Sequence, residues 1–351
     1  MGKTRVLVVE DSLTVRRHLC EVLASDPEVE VVGEAEDGRR AIELCQQIRP
    51  DVVTMDMMMP TMTGLAATEY IMAHCPTPIL IISSSINRGE LFKTYDALAA
   101  GALDVLDKPR GDERDPDWER AFITTVKLVS RIRVITHLRG RLGRQGRSQA
   151  VPDPETAATV RNGDICEVVA IGASTGGPAA IVEILRALPP TFRLPLLLVL
   201  HINEPFGVAF AEWLDAQSDR RVVYARDGEP VASAAGRVVM APPDWHLSVR
   251  DGRLRLTREA ERNSCRPSVD ALFESIAREY GRAVTACLLT GMGRDGAAGL
   301  LAIRKAGGLT IAQDEASSVV FGMPYEAVRL GAAERVLPLS EIGPALALLS
   351  N

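Results

Sequence analysis

The stretch Val168–Pro178, VVAIGASTGGP, decides the fold of the second half of this chain. An apolar run stops at Gly172, a turn of small residues follows, and Gly176-Gly177-Pro178 can open a helix. The one reactive side chain of the turn, Ser174, therefore sits where a strand hands over to a helix. In an α/β sheet the crevice beyond such strand ends is where ligands bind. The same turn could cradle a phosphate, but GASTGG lacks the full G-x-G-x-x-G spacing and no Gly-Lys-Ser/Thr follows it.

Strand–helix alternation extends outward from this stretch in both directions. Apolar runs at Glu167–Ile171, Leu196–Leu200, Val222–Tyr224, Val238–Ala241 and Ala283–Leu289 predict a Rossmann-like, doubly wound parallel sheet. Leu247–Leu256 adds a β-hairpin turning at Asp251-Gly252. Upstream, Arg5–Val9, Val29–Val32, Val52–Met55, Ile79–Ile82 and Asp104–Leu106 read as the strands of a flavodoxin-like (βα)5 unit. Leu13–Leu23 and the face Ala41, Ile42, Leu44, Cys45 and Ile48 read as two of its helices, and Trp118–Leu138 as a closing amphipathic helix. Arg139–Gly163, rich in Arg, Gly, Gln, Ser and Pro, reads as a solvated tether, and about 25 flexible residues have an r.m.s. span of roughly 25–30 Å. The α/β chain is thus expected to hold one domain over residues 3–125, a closing helix and linker over 126–164, and a second domain over 165–349.

The 351 residues are 46% apolar, enough for two cores, and no run reaches the length of a membrane helix. Met1–Arg5 enters a strand directly, so the expectation is a cytoplasmic protein with no signal peptide and no membrane insertion. A net charge of −6 argues against a general nucleic-acid binder. The six cysteines include no C-x-x-C pair, which points to reduced thiols rather than a zinc site or a disulfide framework.

Three acids mark strand ends in the first domain. Glu10 and Asp11 follow the first strand and Asp56 follows Val52–Met55. If the strand order is 2-1-3, these ends share one crevice. Crowded carboxylates suit a hard cation such as Mg2+, which can draw in a phosphoryl group for transfer to Asp56. Ser83 offers a hydroxyl and Lys108 a cation at the next strand ends. Taken singly, Asp11 and Asp56 would be read as helix caps. Together the residues resemble the receiver domain of bacterial response regulators: Glu10-Asp11, Asp56 in DVVTMDMMMP, Ser83, and Lys108-Pro109. The resemblance implies phosphorylation of Asp56 by a chemotaxis histidine kinase, with Mg2+ held by Glu10, Asp11 and Asp56, and with Ser83 and Lys108 as switch residues. Met58 and Thr63 stand where that family branch often has Glu and Asp.

A serine hydroxyl needs a base within hydrogen-bond reach. Of five histidines, His201 directly follows the strand Leu196–Leu200, whereas His246 flanks the hairpin and reads as structural. An orienting acid is supplied by Asp295, at the end of ACLLTGMGRD, just beyond another strand. Backbone N–H groups of that turn, near Met292, could face an oxyanion. Each piece has a bland reading as an ordinary turn or strand-end residue; their convergence on three strand ends favours a nucleophilic site. The order Ser…His…Asp differs from that of the α/β-hydrolases.

The segments IGASTGGP, RPSVDALFESIA, LTGMGRDGAAGL and IAQDEASSVVFGMP resemble the CheB family of chemotaxis protein-glutamate methylesterases over about residues 165–349. The resemblance implies Ser174 as nucleophile, His201 as general base, Asp295 as orienting acid, Met292 as an oxyanion donor and Thr175 beside the nucleophile. It also implies hydrolysis of glutamate methyl esters, and deamidation of glutamines, on the cytoplasmic domain of methylated chemoreceptors, with no cofactor for the hydrolysis. His201-Ile202-Asn203 departs from the usual His-Met-Pro. Two other classes compete: a non-enzymatic adaptor that binds receptor or kinase, and a nucleotide-binding domain built on GASTGG.

Overall fold

The computed structural model describes residues 2–84, 88–109, 115–132, 134, 166–202 and 204–350. The chain divides into two units, Met1–Arg147 and Ser148–Asn351. The tether expected at Arg139–Gly163 and the unusual Asn203 lie outside the described residues.

In the first unit, β1 (Thr4–Val9), β2 (Val29–Ala35), β3 (Val52–Asp56), β4 (Ile79–Ser83) and β5 (Asp104–Asp107) form a parallel sheet in the order β2-β1-β3-β4-β5. The helices are α1 (Leu13–Ala24), α2 (Gly38–Ile48), α3 (Gly64–His74), α4 (Arg88–Ala99) and α5 (Pro116–Val129). Val6–Val9 and Ile79–Ile82 are buried throughout, the signature of strands covered on both faces. The chain reverses its direction of growth at β1 and β3, and this puts Glu10, Asp11 and Asp56 at one sheet end. The closing helix is shorter than its sequence pattern suggests. It starts at Pro116, ends at Val129 and is capped by Ser130, whose amide donates to Val126; residues 133 and 135–138 of the expected span lie outside the described residues. Phe122, Val126 and Val129 face the core, while Ile132 falls beyond the helix end.

In the second unit, seven parallel strands lie in the order β14-β13-β12-β6-β7-β9-β8. They are β6 (Val168–Ala173), β7 (Leu196–Leu200), β8 (Val222–Tyr224), β9 (Val238–Met240), β12 (Val284–Leu288), β13 (Leu309–Gln313) and β14 (Arg335–Leu337). The expected hairpin is β10 (His246–Arg250) and β11 (Arg253–Thr257), and its turn residues Asp251 and Gly252 both have positive φ, 54° and 67°. The helices are α6 (Gly177–Ala187), α7 (Phe210–Gln217), α8 (Val269–Tyr280), α9 (Ala297–Lys305), α10 (Met323–Arg329) and α11 (Leu339–Ala347). Strands β13 and β14 extend the sheet beyond what the apolar runs indicate. The sheet grows from β6 toward β7 and β9 on one side and is resumed at β12 on the other, so the crevice opens at the C-terminal ends of β6, β7 and β12. Among the described residues, no helix is long and apolar enough to cross a membrane.

Candidate active site and carboxylate pocket

Parallel pairing places the serine and the first histidine candidate side by side. Ala173 pairs with Leu200, so Ser174 and His201 are the next residues along β6 and β7, and the His201 amide donates to Ala173 O at 3.0 Å. The turn after Ser174 is tight: its amide donates to Thr290 O and its carbonyl accepts from Gly177 N. Gly176 has φ 77°, and a Cβ there would lie 2.5 Å from Val319, so both conformation and space exclude a side chain. The Ser174 and Gly177 amides are spent inside the protein, so neither is available to a phosphate.

His201 Nε2 and Asp295 Oδ2 are 2.8 Å apart, and Asp295 is buried. The sequence pairing of these two residues is therefore realised across the sheet end. Asp295 is held by more than the imidazole. Its Oδ2 also accepts from Val269 N at 2.6 Å, and its Oδ1 accepts from Ser268 Oγ at 2.7 Å, Asn263 Nδ2 at 3.1 Å and Asp270 N at 3.3 Å. Val269 and Asp270 are the first residues of α8, whose N-terminal amides and dipole favour an anion. Burial alone would raise the Asp295 pKa, but hydrogen bonds from His201, Ser268 and Val269 outweigh it and hold the carboxyl at about 2. Burial would likewise lower His201, but its bond to Asp295, together with contact with Cys265, lifts the imidazole to about 9. With Nε2 facing the carboxylate, Nδ1 is the nitrogen left to exchange a proton. Cys265 Sγ lies 3.6 Å from it.

The Ser174 hydroxyl is half-buried and is hydrogen-bonded to neither His201 nor Asp295 in this structure. Such bonds are often long before a substrate is seated. The β12–α9 turn closes the other side. A Cβ on Gly291 would lie 2.7 Å from Ser174 Cβ and 2.3 Å from Met323 Sδ, so glycine permits the close approach of the turn to the serine. The adjacent Met292 is half-buried, and among the described residues its amide has no acceptor. Thr175 carries its carbonyl to Thr290 Oγ1 at 2.9 Å, and the same hydroxyl accepts from Val320 N. Thr290 N in turn donates to Gln313 Oε1. His246 is buried and structural in its contacts: Nε2 meets Ala260 O and Nδ1 accepts from Ser268 N.

Sequence reasoning missed Ser268, Asn263, Thr290, Gln313 and Cys265. Ser268 could have been found as an N-cap, because it precedes the apolar period Val269, Leu272, Phe273 and Ile276. Its side chain accepts from Ala271 N at 3.4 Å while its hydroxyl donates to Asp295.

In the first unit, Glu10 and Asp56 are buried and Asp11 is exposed, with one carboxylate oxygen of each lying within 4.8 Å of the others. Lys108 Nζ sits 2.9 Å from Asp56 Oδ1 and 2.9 Å from Glu10 Oε2. Burial, and then the Asp56 charge, push Glu10 up to about 7 despite Lys108. Burial also raises Asp56, opposed by Lys108 and by the amides of Met57 and Met58. Asp56 Oδ2 is buried without a hydrogen-bond partner. An unpartnered carboxylate oxygen inside a cluster of hard oxygen donors fits a small divalent cation such as Mg2+. Ser83 is buried at the end of β4 and its Oγ accepts from Thr94 Oγ1 at 3.3 Å. Of the two departures from the receiver pattern, Met58 is exposed and receives Lys93 Nζ on its sulfur, and Thr63 caps α3 through Ala66 N.

Residues 169–346 match the family model described as CheB methylesterase, and residues 6–114 match the response regulator receiver domain. A protein-glutamate methylesterase/protein-glutamine glutaminase of Anaeromyxobacter dehalogenans is 45% identical over 99% of this chain and 97% of its own length. A relative of the same description from Pseudomonas aeruginosa is 44% identical over 97% of this chain and 95% of its own. The crystal structure of the Thermotoga maritima CheB methylesterase catalytic domain is 37% identical and superposes with a TM-score of 0.50, covering 52% of this chain and 98% of that one.

Proposed function

The chain belongs to the CheB methylesterase family, with a response-regulator receiver ahead of its methylesterase domain, and from that premise we propose how its own residues carry the reaction. It is a phosphorylation-regulated protein-glutamate methylesterase and glutamine deamidase of chemosensory adaptation, acting on chemoreceptors. The comparisons favour this enzyme over a binding adaptor of the same architecture.

Ser174 Oγ attacks the ester carbonyl carbon while His201 Nδ1 takes the hydroxyl proton. Asp295 fixes the ring through Nε2 and stabilises the imidazolium. Met292 N–H donates to the oxyanion, and Thr175 flanks the nucleophile. His201 returns its proton to the leaving oxygen, methanol departs, and water releases the acyl-enzyme as free glutamate. With a glutamine the leaving group is ammonia. The observation that carries this reading is the 2.8 Å His201–Asp295 contact, buried at the strand end beside Ser174.

Glu10, Asp11 and Asp56 would hold Mg2+, which when bound supplies the positive charge that offsets carboxylate and phosphoryl oxygens during transfer. Asp56 accepts the phosphoryl group from a histidine kinase, Lys108 pairs with the resulting charge, and Ser83 reorients toward it. The test is methanol release from methylated receptor with and without a small acyl phosphate as phosphodonor. Asp56→Asn is expected to turn over at the rate of unphosphorylated protein and to lose all stimulation; stimulation that survives would remove Asp56 from its role.

Gly291→Ala tests the packing beside the nucleophile. Met323 can shift, but Ser174 is tied into its turn by backbone hydrogen bonds, so relieving the contact moves that turn and the serine with it. Turnover should fall by about 10²-fold for a displacement near 1 Å. Thermal unfolding should show a loss of roughly 1–3 kcal/mol from overpacking. Unchanged turnover with unchanged stability would show that the turn yields freely.

A further inference from the structure

Beside the proposed triad, a thiol and an imidazole face each other at a distance that carries a meaning of its own. Cys265 Sγ is 3.6 Å from His201 Nδ1. A tetrahedral zinc ion, with Zn–S about 2.3 Å and Zn–N about 2.05 Å, needs its sulfur and nitrogen ligands about 3.5–3.6 Å apart. The two atoms already stand at that spacing. The thiol is also held in place from behind, because Cys265 and Arg262 exchange both backbone hydrogen bonds across a tight turn.

The remaining geometry suits the same ion. The second ring nitrogen is fixed by buried Asp295, the carboxylate–histidine pairing that orients a zinc-binding imidazole and raises its basicity. One Asp295 oxygen, Nδ1 or Nε2 of His201 and Cys265 Sγ cluster within 4.8 Å. Asp295 is nonetheless occupied by donors from Val269, Ser268, Asn263 and Asp270, so it serves behind the ring rather than on the metal. In front lies an open cleft of about 330 Å³, lined by His201 and Cys265, by the carboxylates Glu204 and Glu261, and by Arg266, whose charge is paired with Asp244. It leaves room for water ligands and favours positive charge.

We propose that Cys265 Sγ and His201 Nδ1 form a Zn2+ site whose occupancy reversibly inhibits the hydrolase. Binding releases the thiol proton and, wherever the imidazole is protonated, its Nδ1 proton to solvent; a zinc–thiolate bond forms, zinc takes the freed Nδ1 lone pair, and no electron changes hands. The nitrogen that must accept the Ser174 proton is then taken. The inhibitory half rests on His201 being the base, whereas the metal site stands on the geometry alone.

Full-length protein is titrated with Co2+ as the spectroscopic stand-in for Zn2+, with excess Mg2+ present for the carboxylate pocket. A thiolate-to-cobalt charge-transfer absorption should saturate at one equivalent and be displaced by Zn2+. It should disappear in both Cys265→Ala and Cys265→Ser and persist in Ser174→Ala. Zn2+ should suppress methanol release and a chelator should restore it. In the Cys265 variants the inhibitory zinc concentration, judged against each variant's own zinc-free rate, should rise by at least about 10- to 100-fold. No absorption, or absorption that survives both Cys265 substitutions, overturns the site. A Cys265-dependent absorption with undiminished turnover overturns the inhibition and counts against His201 as the base. An active Ser174→Ala protein would instead refute the triad while leaving the cobalt signal in place.

Discussion

Ser174→Ala is expected to reduce methanol release from methylated receptor by about 10⁴- to 10⁶-fold, leaving only what positioning and the oxyanion donor supply. The substitution is informative because it should cost almost nothing in stability. The Ser174 side chain is half-buried and, among the described residues, donates no hydrogen bond, whereas its backbone bonds to Thr290 and Gly177 survive in alanine. Thermal unfolding should therefore stay within about 0.5 kcal/mol of the parent. A variant that melts normally, still binds receptor and does not release methanol isolates the hydroxyl as the missing part. Full methanol release would sink the esterase mechanism.

Asp295→Asn is expected to lower turnover by about 10⁴-fold. An asparagine amide can donate to Nε2, which forces the proton onto Nδ1 and leaves His201 in the tautomer that cannot act as a base. The pH profile separates this from simple damage. In the parent, His201 titrates at about 9, raised by its bond to Asp295 against the lowering effect of burial. A general base must be neutral, so kcat/KM should rise with pH and level off beyond that value. Removing the carboxylate removes the strongest effect holding the proton on, so the rising limb should move to lower pH in the variant. An unmoved limb would show that Asp295 does not set the imidazole. Stability carries a second signature. Asp295 falls from an ordinary carboxylate pKa of 3.8 to about 2 on folding, so it stabilises the native state above pH ~4 and loses that contribution as pH falls toward 2. The asparagine variant lacks this acid-sensitive component, which an acid titration followed by circular dichroism would reveal.

The strand ends were legible because each follows an unbroken apolar run. Val6–Val9, Leu196–Leu200 and Val284–Leu288 are all buried, and a polar residue follows close behind each run: Glu10, His201 and, beyond the Gly-rich turn, Asp295. The pairing order then follows from few topologies, and the observed β2-β1-β3 and β12-β6-β7 neighbours place the expected residues together. What escaped has other physical causes. β13 ends in Gln313, a buried amide whose partners are Thr290 N and Ser317 O, and β14 is a three-residue edge strand with Arg335 at its start. Neither shows the apolar density that marks a strand in isolation. Asn263 reaches Asp295 from a turn in which it and Ser264 both have positive φ, 51° and 61°. Cys265 reaches His201 from that same turn. No periodicity announces such residues. The closing helix was overread because Ile132 continues the apolar spacing past the point where Ser130 ends the backbone ladder.

The bond between His201 and Asp295 spans 94 residues of sequence, and the turn that seats Ser174 leans on Thr290, Gln313, Val320 and Met323. Domains fold as units as they leave the ribosome, at about 5–20 residues per second. The nucleophile and base emerge first, but nothing holds them until the chain has been made through Met323 and packed. The nascent protein is thus expected to stay chemically silent for most of its synthesis, and a fragment ending before Met323 lacks the contacts that seat Ser174. Hydrolysis begins only when those late segments arrive, so activity itself is a report that the chain has been made through Met323 and packed.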